Sequence, residues 1–229
     1  MFNDKVVVIT GGARGLGKAL AEILISKGAR VAISDKNEKE LQETAKAIGA
    51  TPFAADVTKE SEISNLKEGV LSKFGEIDIW INNAGAWLPR APVEEVDMKR
   101  AHEIMEVNLF GMAYGSRAAL SVMKEKGTGI ILNIVSSSAL SGRPLSAMYC
   151  ASKHAVKGFT DSLRGELAGS GIKVIGVYPS GMKTNLFDEK RPADFEEYMP
   201  VEFVAKEIIG NLESKNPQEE QIIKRAGQV

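Results

Sequence analysis

The chain has 229 residues, 29 basic against 30 acidic, and a net charge of −1 with no block of five or more like charges, so neither nucleic acid nor an acidic membrane surface is implied as a partner. Cys150 is the only cysteine, which rules out an intrachain disulfide or a cysteine-based zinc site. The longest apolar runs are strand-sized, short of the roughly 18–20 residues of a membrane span, and the N-terminus enters structure too early for a secretory leader; a soluble cytoplasmic protein is expected.

Short apolar runs alternate with longer segments of helical period. Val6–Ile9 is β-branched and bounded by polar residues, the pattern of a strand buried on both faces. The turn Thr10-Gly11-Gly12-Ala13-Arg14-Gly15-Leu16-Gly17 follows it. An apolar helical stripe through Leu16, Leu20, Ile23 and Leu24 comes next and stops at Lys27-Gly28. Further strands are expected at Arg30–Ser34, Pro52–Ala55, Ile77–Asn82, Ile130–Ser136, Lys173–Tyr178 and Gln221–Lys224, with helices at 38–48, 60–74, 98–125, 149–168 and 201–214. This alternation predicts an α/β chain, a doubly wound, Rossmann-type sheet of about seven mostly parallel strands with helices on both faces. No repeat or linker divides it, so one domain spanning 1–229 is expected. The segment from Asn185 to Pro200 has no clear period and carries Phe187, Phe195 and Tyr198, which suits a lid or substrate loop.

The glycine turn is spaced G-x-x-x-G-x-G, a departure from the familiar G-x-G-x-x-G with the same physical logic. Missing side chains let the backbone approach a pyrophosphate at the positive end of a helix dipole. Gly11, Arg14, Gly15, Leu16 and Gly17 are the residues expected there. Asp35 ends the second strand, eighteen residues past Gly17, where a carboxylate can accept hydrogen bonds from ribose hydroxyls. It would repel the extra phosphate of NADP, so NAD is favoured; Arg14 and Lys36 are basic and keep NADP open. Lys36 also reads as the solvated start of a helix. Asp56-Val57 and Asn82-Asn83-Ala84-Gly85 fall at the carboxyl ends of the third and fourth strands, where open α/β sheets bind ligands. Asp56 can equally be read as an N-cap.

Tyr149 and Lys153 are four residues apart, so on a helix they share a face. A free tyrosine has a pKa of about 10, and a lysine ammonium beside it is expected to pull that value down towards the working range. Ser136 lies thirteen residues before Tyr149. Neither His102 nor His154 has metal-ligand spacing, and no metal is expected.

Together these motifs, with Asn108 and Pro179-Ser180-Gly181-Met182-Lys183-Thr184, resemble the short-chain dehydrogenase/reductase family in its small single-domain branch. The resemblance runs nearly the full length of the chain. It implies an NAD(P)-dependent oxidoreductase on a small alcohol or carbonyl, with Tyr149 as general acid in reduction and base in oxidation. Ser136 would hold the substrate oxygen. Lys153 would bind the nicotinamide ribose and lower the tyrosine pKa, and Asn108 would help hold a relay water. Asp56, Val57, Asn83, Ala84, Gly85, Pro179, Gly181 and Thr184 would complete the cofactor contacts. Ser180 stands where glycine is commoner, which leaves the local backbone open to question. Trp87, Met148 and Leu186 are expected beside the substrate; no arginine clearly sits where it would clamp a carboxylate or an acyl-carrier phosphate, and Arg90 and Arg143 keep a 3-oxoacyl-thioester substrate open. Family members usually pair as homodimers or homotetramers. Ala118, Ala119, Leu120, Phe159, Leu163 and Leu167 could line such an interface or face the sheet. A non-catalytic dinucleotide-binding regulator and a redox-neutral epimerase or dehydratase are the rival readings.

Overall fold

A computed structural model describes residues 1–225. Seven parallel strands form one sheet: β1 (Val6–Thr10), β2 (Arg30–Asp35), β3 (Thr51–Ala54), β4 (Ile79–Asn82), β5 (Gly129–Ile134), β6 (Ile172–Pro179) and β7 (Glu220–Ile223). Their order is β3-β2-β1-β4-β5-β6-β7. The chain winds outward on one side of β1, then crosses to β4 and winds outward on the other. The switch point between β1 and β4 opens a crevice at the carboxyl ends of the strands, where such sheets bind ligands.

Alternation along each strand builds two cores. Val7 and Ile9 of β1 join Val31, Ile33, Ile79, Ile81, Leu132 and Ile175 against α1 (Gly15–Ser26), α2 (Glu38–Ile48) and α7 (Val201–Glu213). Val6 and Val8 join Ala32, Trp80, Ile131 and Val174 on the other face. There they meet α3 (Glu60–Phe74), α5 (Gly111–Lys126) and α6 (Ala147–Glu166). Ala119, Leu163 and Leu167 are buried in this second core and face the sheet, while Ala118, Leu120 and Phe159 pack against it and stay partly exposed.

The helix expected over 98–125 is broken. It runs as α4 (Met98–Met105), a π turn (Glu106–Phe110) and then α5. The turn places Asn108, wholly buried, against the loop after β4. At its end Gly111 crosses Val57 so closely that an added Cβ would lie 2.9 Å from Val57 Cγ2. Two buried contacts thus override a regular helical phase. β5 ends at Ile134, short of Ser136, which lies outside the strand as the N-cap of a short 3₁₀ turn.

The 185–200 segment contains two short 3₁₀ turns, Asn185–Phe187 and Phe195–Glu197. Phe187 is its hub, with ring centres 5.0 Å from Trp87, 5.4 Å from Tyr198 and 6.0 Å from Phe195. Among the described residues no helix is long and apolar enough to cross a membrane.

Candidate active site

One cleft runs across the carboxyl edge of the sheet, from the glycine turn to Tyr149 and on to the 185–200 segment. At its first end Gly11 (φ 63°) and Gly15 (φ 54°) take left-handed backbone that disfavours side chains. The α1 N-terminus beside them has no side-chain cap and no acidic residue in its first turn. A pyrophosphate laid there would meet bare N–H groups and the positive helix end. Gly17 does not line the cleft; a Cβ there would lie 2.3 Å from the Gly11 carbonyl oxygen. Its service to the turn is close packing beneath it.

The turn is stitched to the loop after β4. Thr10 Oγ1 accepts from Asn83 N at 3.1 Å and Ala84 N at 3.2 Å. Asn83 Nδ2 donates to the Thr10 and Gly11 carbonyls, both at 2.9 Å. Asp35 also faces the cleft, its carboxylate accepting from Asn37 N at 3.1 Å and Ala13 N at 3.4 Å. Asp56 is not a helix cap. Its carboxylate accepts from the Thr58 N–H and hydroxyl, while α3 starts after Lys59. Burial raises the Asp56 pKa, and the Thr58 hydrogen bonds and the Lys36 and Lys59 charges outweigh it, leaving the carboxyl below its usual range.

Beneath the cleft floor runs a buried polar ladder. Trp80 Nε1 donates to Asn82 Oδ1 at 2.8 Å, and Asn82 Nδ2 donates to Ser116 Oγ at 3.0 Å and Asn133 Oδ1 at 2.9 Å. Asn133 Nδ2 donates to Thr160 Oγ1 at 3.0 Å, and Thr160 donates to Val156 O at 2.8 Å. The ladder ties β4 and β5 to α5 and to α6, the helix that carries Tyr149 and Lys153.

The Ser136 hydroxyl is within hydrogen-bonding reach of the Tyr149 hydroxyl. Lys153 is buried, its Nζ 6.0 Å from the Tyr149 ring centre and 3.5 Å from the Ile134 carbonyl to which it donates. The expected lowering of the tyrosine pKa is not found. Burial dominates and pushes Tyr149 up to about 12, against the downward pull of the Ser136 hydroxyl and the Arg143 charge. Lys153 is brought down to about 8 by burial alone. At neutral pH this leaves a protonated phenol beside a lysine that is still mostly charged.

Asn108 does not line the cleft. Its Oδ1 accepts from Ala86 N at 2.8 Å and its Nδ2 donates to Ala86 O and Ser152 Oγ, both at 3.0 Å. With both N–H groups used, the side chain has no donor left for a relay water. It braces α6, because Ser152 in turn donates to the Tyr149 carbonyl at 2.7 Å. Sequence reasoning missed Ser152, although its place three residues after Tyr149 puts it on the same helix face.

Arg14, Leu16, Lys36, Val57, Gly85, Trp87, Pro179, Gly181, Thr184 and Leu186 line the cleft as expected. Ser180 does so too; it is buried, and its N–H extends the β6–β7 ladder by donating to Ile223 O at 2.9 Å. The serine is accommodated without distorting the turn. Met148, expected beside the substrate, lies outside the lining. One helical position from Tyr149 turns a side chain about 100° away. Leu145 takes left-handed backbone (φ 61°), at a cost of about 1–3 kcal/mol, and its carbonyl accepts from Ala91 N at 2.9 Å. That contact joins the loop of Arg90 to the loop of Arg143, and both arginines line the cleft.

Comparison with known proteins adds the lineage. A short chain dehydrogenase family model matches residues 5–194. An uncharacterized oxidoreductase of Staphylococcus saprophyticus is 36% identical over 191 residues, 81% of each chain. A diacetyl reductase, (S)-acetoin forming, from Staphylococcus epidermidis is 34% identical over 191 residues, 81% of this chain and 74% of that one. The crystal structure of a 3-ketoacyl-(acyl-carrier-protein) reductase from Brucella melitensis, complexed with NADH, matches with a TM-score of 0.92 at 28% identity, covering 100% of both chains. With its family match over most of its length and a fold common to such enzymes, this chain belongs to the short-chain dehydrogenase/reductase family of oxidoreductases.

Proposed function

We propose that the chain reduces a small ketone or aldehyde at the Ser136–Tyr149–Lys153 cluster, using a nicotinamide dinucleotide and favouring NAD over NADP. The observation that carries this reading is a half-buried tyrosine, its hydroxyl beside that of a serine and near a buried lysine, at the far end of a cleft that begins at a glycine turn. A bound nicotinamide supplies the hydride. The glycine turn and the open α1 N-terminus hold the pyrophosphate, and Asp35 takes the adenosine ribose. Lys153 would hold the nicotinamide ribose.

Ser136 donates a hydrogen bond to the substrate carbonyl oxygen and fixes it near Tyr149. Tyr149 then gives its proton to that oxygen as negative charge develops there. The positive charge of Lys153 stabilises the phenolate left behind. Because burial keeps the phenol protonated at neutral pH, the proton that carbonyl reduction needs is in place on Tyr149. The names of the diacetyl and 3-ketoacyl reductases support the same direction.

The test is nicotinamide absorbance against a panel of small ketones and aldehydes over a pH series. The folded pKa of Lys153 is depressed, so its charge is present below about 8 and lost above it. The reduction rate is therefore expected to fall as pH rises through about 8. A rate that climbs across that interval would show that the lysine charge is not needed.

Nucleotide choice has its own test. The Asp35 carboxylate is fixed by two backbone N–H groups, whereas Arg14 and Lys36 lie exposed. Asp35→Ser is expected to shrink the preference for NADH over NADPH roughly tenfold, by removing a repulsive charge beside a 2′-phosphate. An unchanged ratio of kcat/KM values would place nucleotide selection elsewhere.

A further inference from the structure

We propose that the substrate end of the cleft is built for a short oxo acid, whose carboxylate is clamped by Arg143 and Arg90 while its carbonyl meets Ser136 and Tyr149; this rests on the carbonyl-reductase reading above.

Charge is distributed unevenly along the cleft. Its lining contains two carboxylates, Asp35 and Asp56, both at the dinucleotide end. The lining also contains Arg143, whose charge acts on Tyr149, and Arg90, whose charge acts on Tyr198, with no further acid. Arg143 Nη2 donates to the neutral Ser137 hydroxyl at 2.8 Å, and among the described residues no carboxylate lies within 4.0 Å of it. Among the described residues the one acid near Arg90 is Asp194, at 4.0 Å, and that carboxylate is shared with Arg225 at 3.3 Å and the Tyr198 hydroxyl at 3.3 Å. Both guanidinium groups thus line the cleft, Arg143 near Tyr149 and Arg90 near Tyr198, and among the described residues most of their donors are unengaged by protein acids.

The backbone holds them there. The Ala91–Leu145 hydrogen bond joins the two arginine loops, and it is made through a leucine in a disfavoured conformation. The charge of Arg143 acts on the Tyr149 hydroxyl, and both arginine charges act on Tyr198.

Spacing selects the kind of anion. Arg143 bonds Ser137, the neighbour of Ser136, whose hydroxyl lies near enough to Tyr149 to pull its pKa down. An anion gripped by Arg143 therefore lies only a few bonds from the reacting carbonyl. A carboxylate on a three- or four-carbon skeleton has that reach, with fork geometry suited to guanidinium. A phosphate at the end of a long acyl-carrier arm would sit farther out. Trp87, Leu186 and Phe187 supply an apolar wall for the remaining alkyl group.

The experiment compares kcat/KM for 3-oxobutanoate, its methyl ester, butane-2,3-dione and 3-oxobutanoyl-coenzyme A. It uses NADH with wild type, Arg143→Gln, Arg143→Lys and Arg90→Gln. The readout is the acid-to-ester ratio, in which any general loss of activity or folding cancels. Wild type is expected to favour the acid by roughly 10- to 100-fold, expressed chiefly in KM, as for a charge-assisted hydrogen bond. Arg143→Gln should remove most of that ratio, Arg90→Gln part of it, and Arg143→Lys should restore some. An ester or dione preferred by wild type, or a ratio that survives in both glutamine variants, overturns the clamp while leaving carbonyl reduction standing. A preference for the thioester that depends on the arginines overturns the oxo acid in favour of a phosphate-bearing carrier. If no member of the panel is reduced by wild type, the reductase reading fails and the clamp with it.

Discussion

Tyr149→Phe is expected to lower kcat for carbonyl reduction by roughly 10²–10⁴ while nucleotide binding survives, since general acid help of this kind has that worth. The phenyl ring still fills the cleft wall; what is lost is the one hydroxyl placed against Ser136. The loss should appear at every pH, because burial holds the wild-type phenol near 12 and keeps it a donor throughout the working range. Nucleotide titration by fluorescence, run beside steady-state kinetics, separates the two effects. A variant within tenfold of wild type would move the proton to another group, and a variant that no longer binds nucleotide would make the change structural.

The largest expected loss of stability is at a residue that never touches the cleft. Asn82→Ala strands the Trp80 indole N–H and the Asn133 carbonyl oxygen, and frees Ser116 to find another partner. All of these groups are buried. Each orphaned polar group costs about 1–3 kcal/mol, so the variant should be destabilised by roughly 3–5 kcal/mol in urea unfolding. The cavity left against Gly115, whose missing side chain makes room for the Asn82 amide, gives no compensating contact. Because the ladder seats α6, residual activity should fall through KM and kcat together. A loss under about 1 kcal/mol would mean that water or repacking satisfies the stranded groups.

Much of the architecture was legible in the sequence because burial leaves a period. Val6–Thr10 is buried at every position and reads as a central parallel strand, whereas β7 alternates exposed and buried and reads as an edge. The glycine turn was legible because so few conformations permit glycines at that spacing between a strand and a helix. The Tyr149–Lys153 pair was legible as a shared face, yet its electrostatics were not. Spacing says that two groups are near, but the balance between a neighbouring charge and lost solvation depends on burial, and burial wins at both residues. The π turn was hidden because Asn108 and Gly111 obey contacts with Ala86, Ser152 and Val57, residues distant in the chain. The junction between the loops of Arg90 and Arg143 was hidden for the same reason, as it rests on one backbone hydrogen bond, from Ala91 N to Leu145 O.

The most direct test of hydride transfer at this cluster is to follow the label from NADH deuterated at the nicotinamide C4 during reduction of the best ketone on the panel. One deuterium is expected on the new carbinol carbon, delivered from a single face of the nicotinamide, with transfer nearly abolished in Tyr149→Phe. Product alcohol carrying hydrogen from solvent at that carbon, or labelled equally by wild type and Tyr149→Phe, would contradict it.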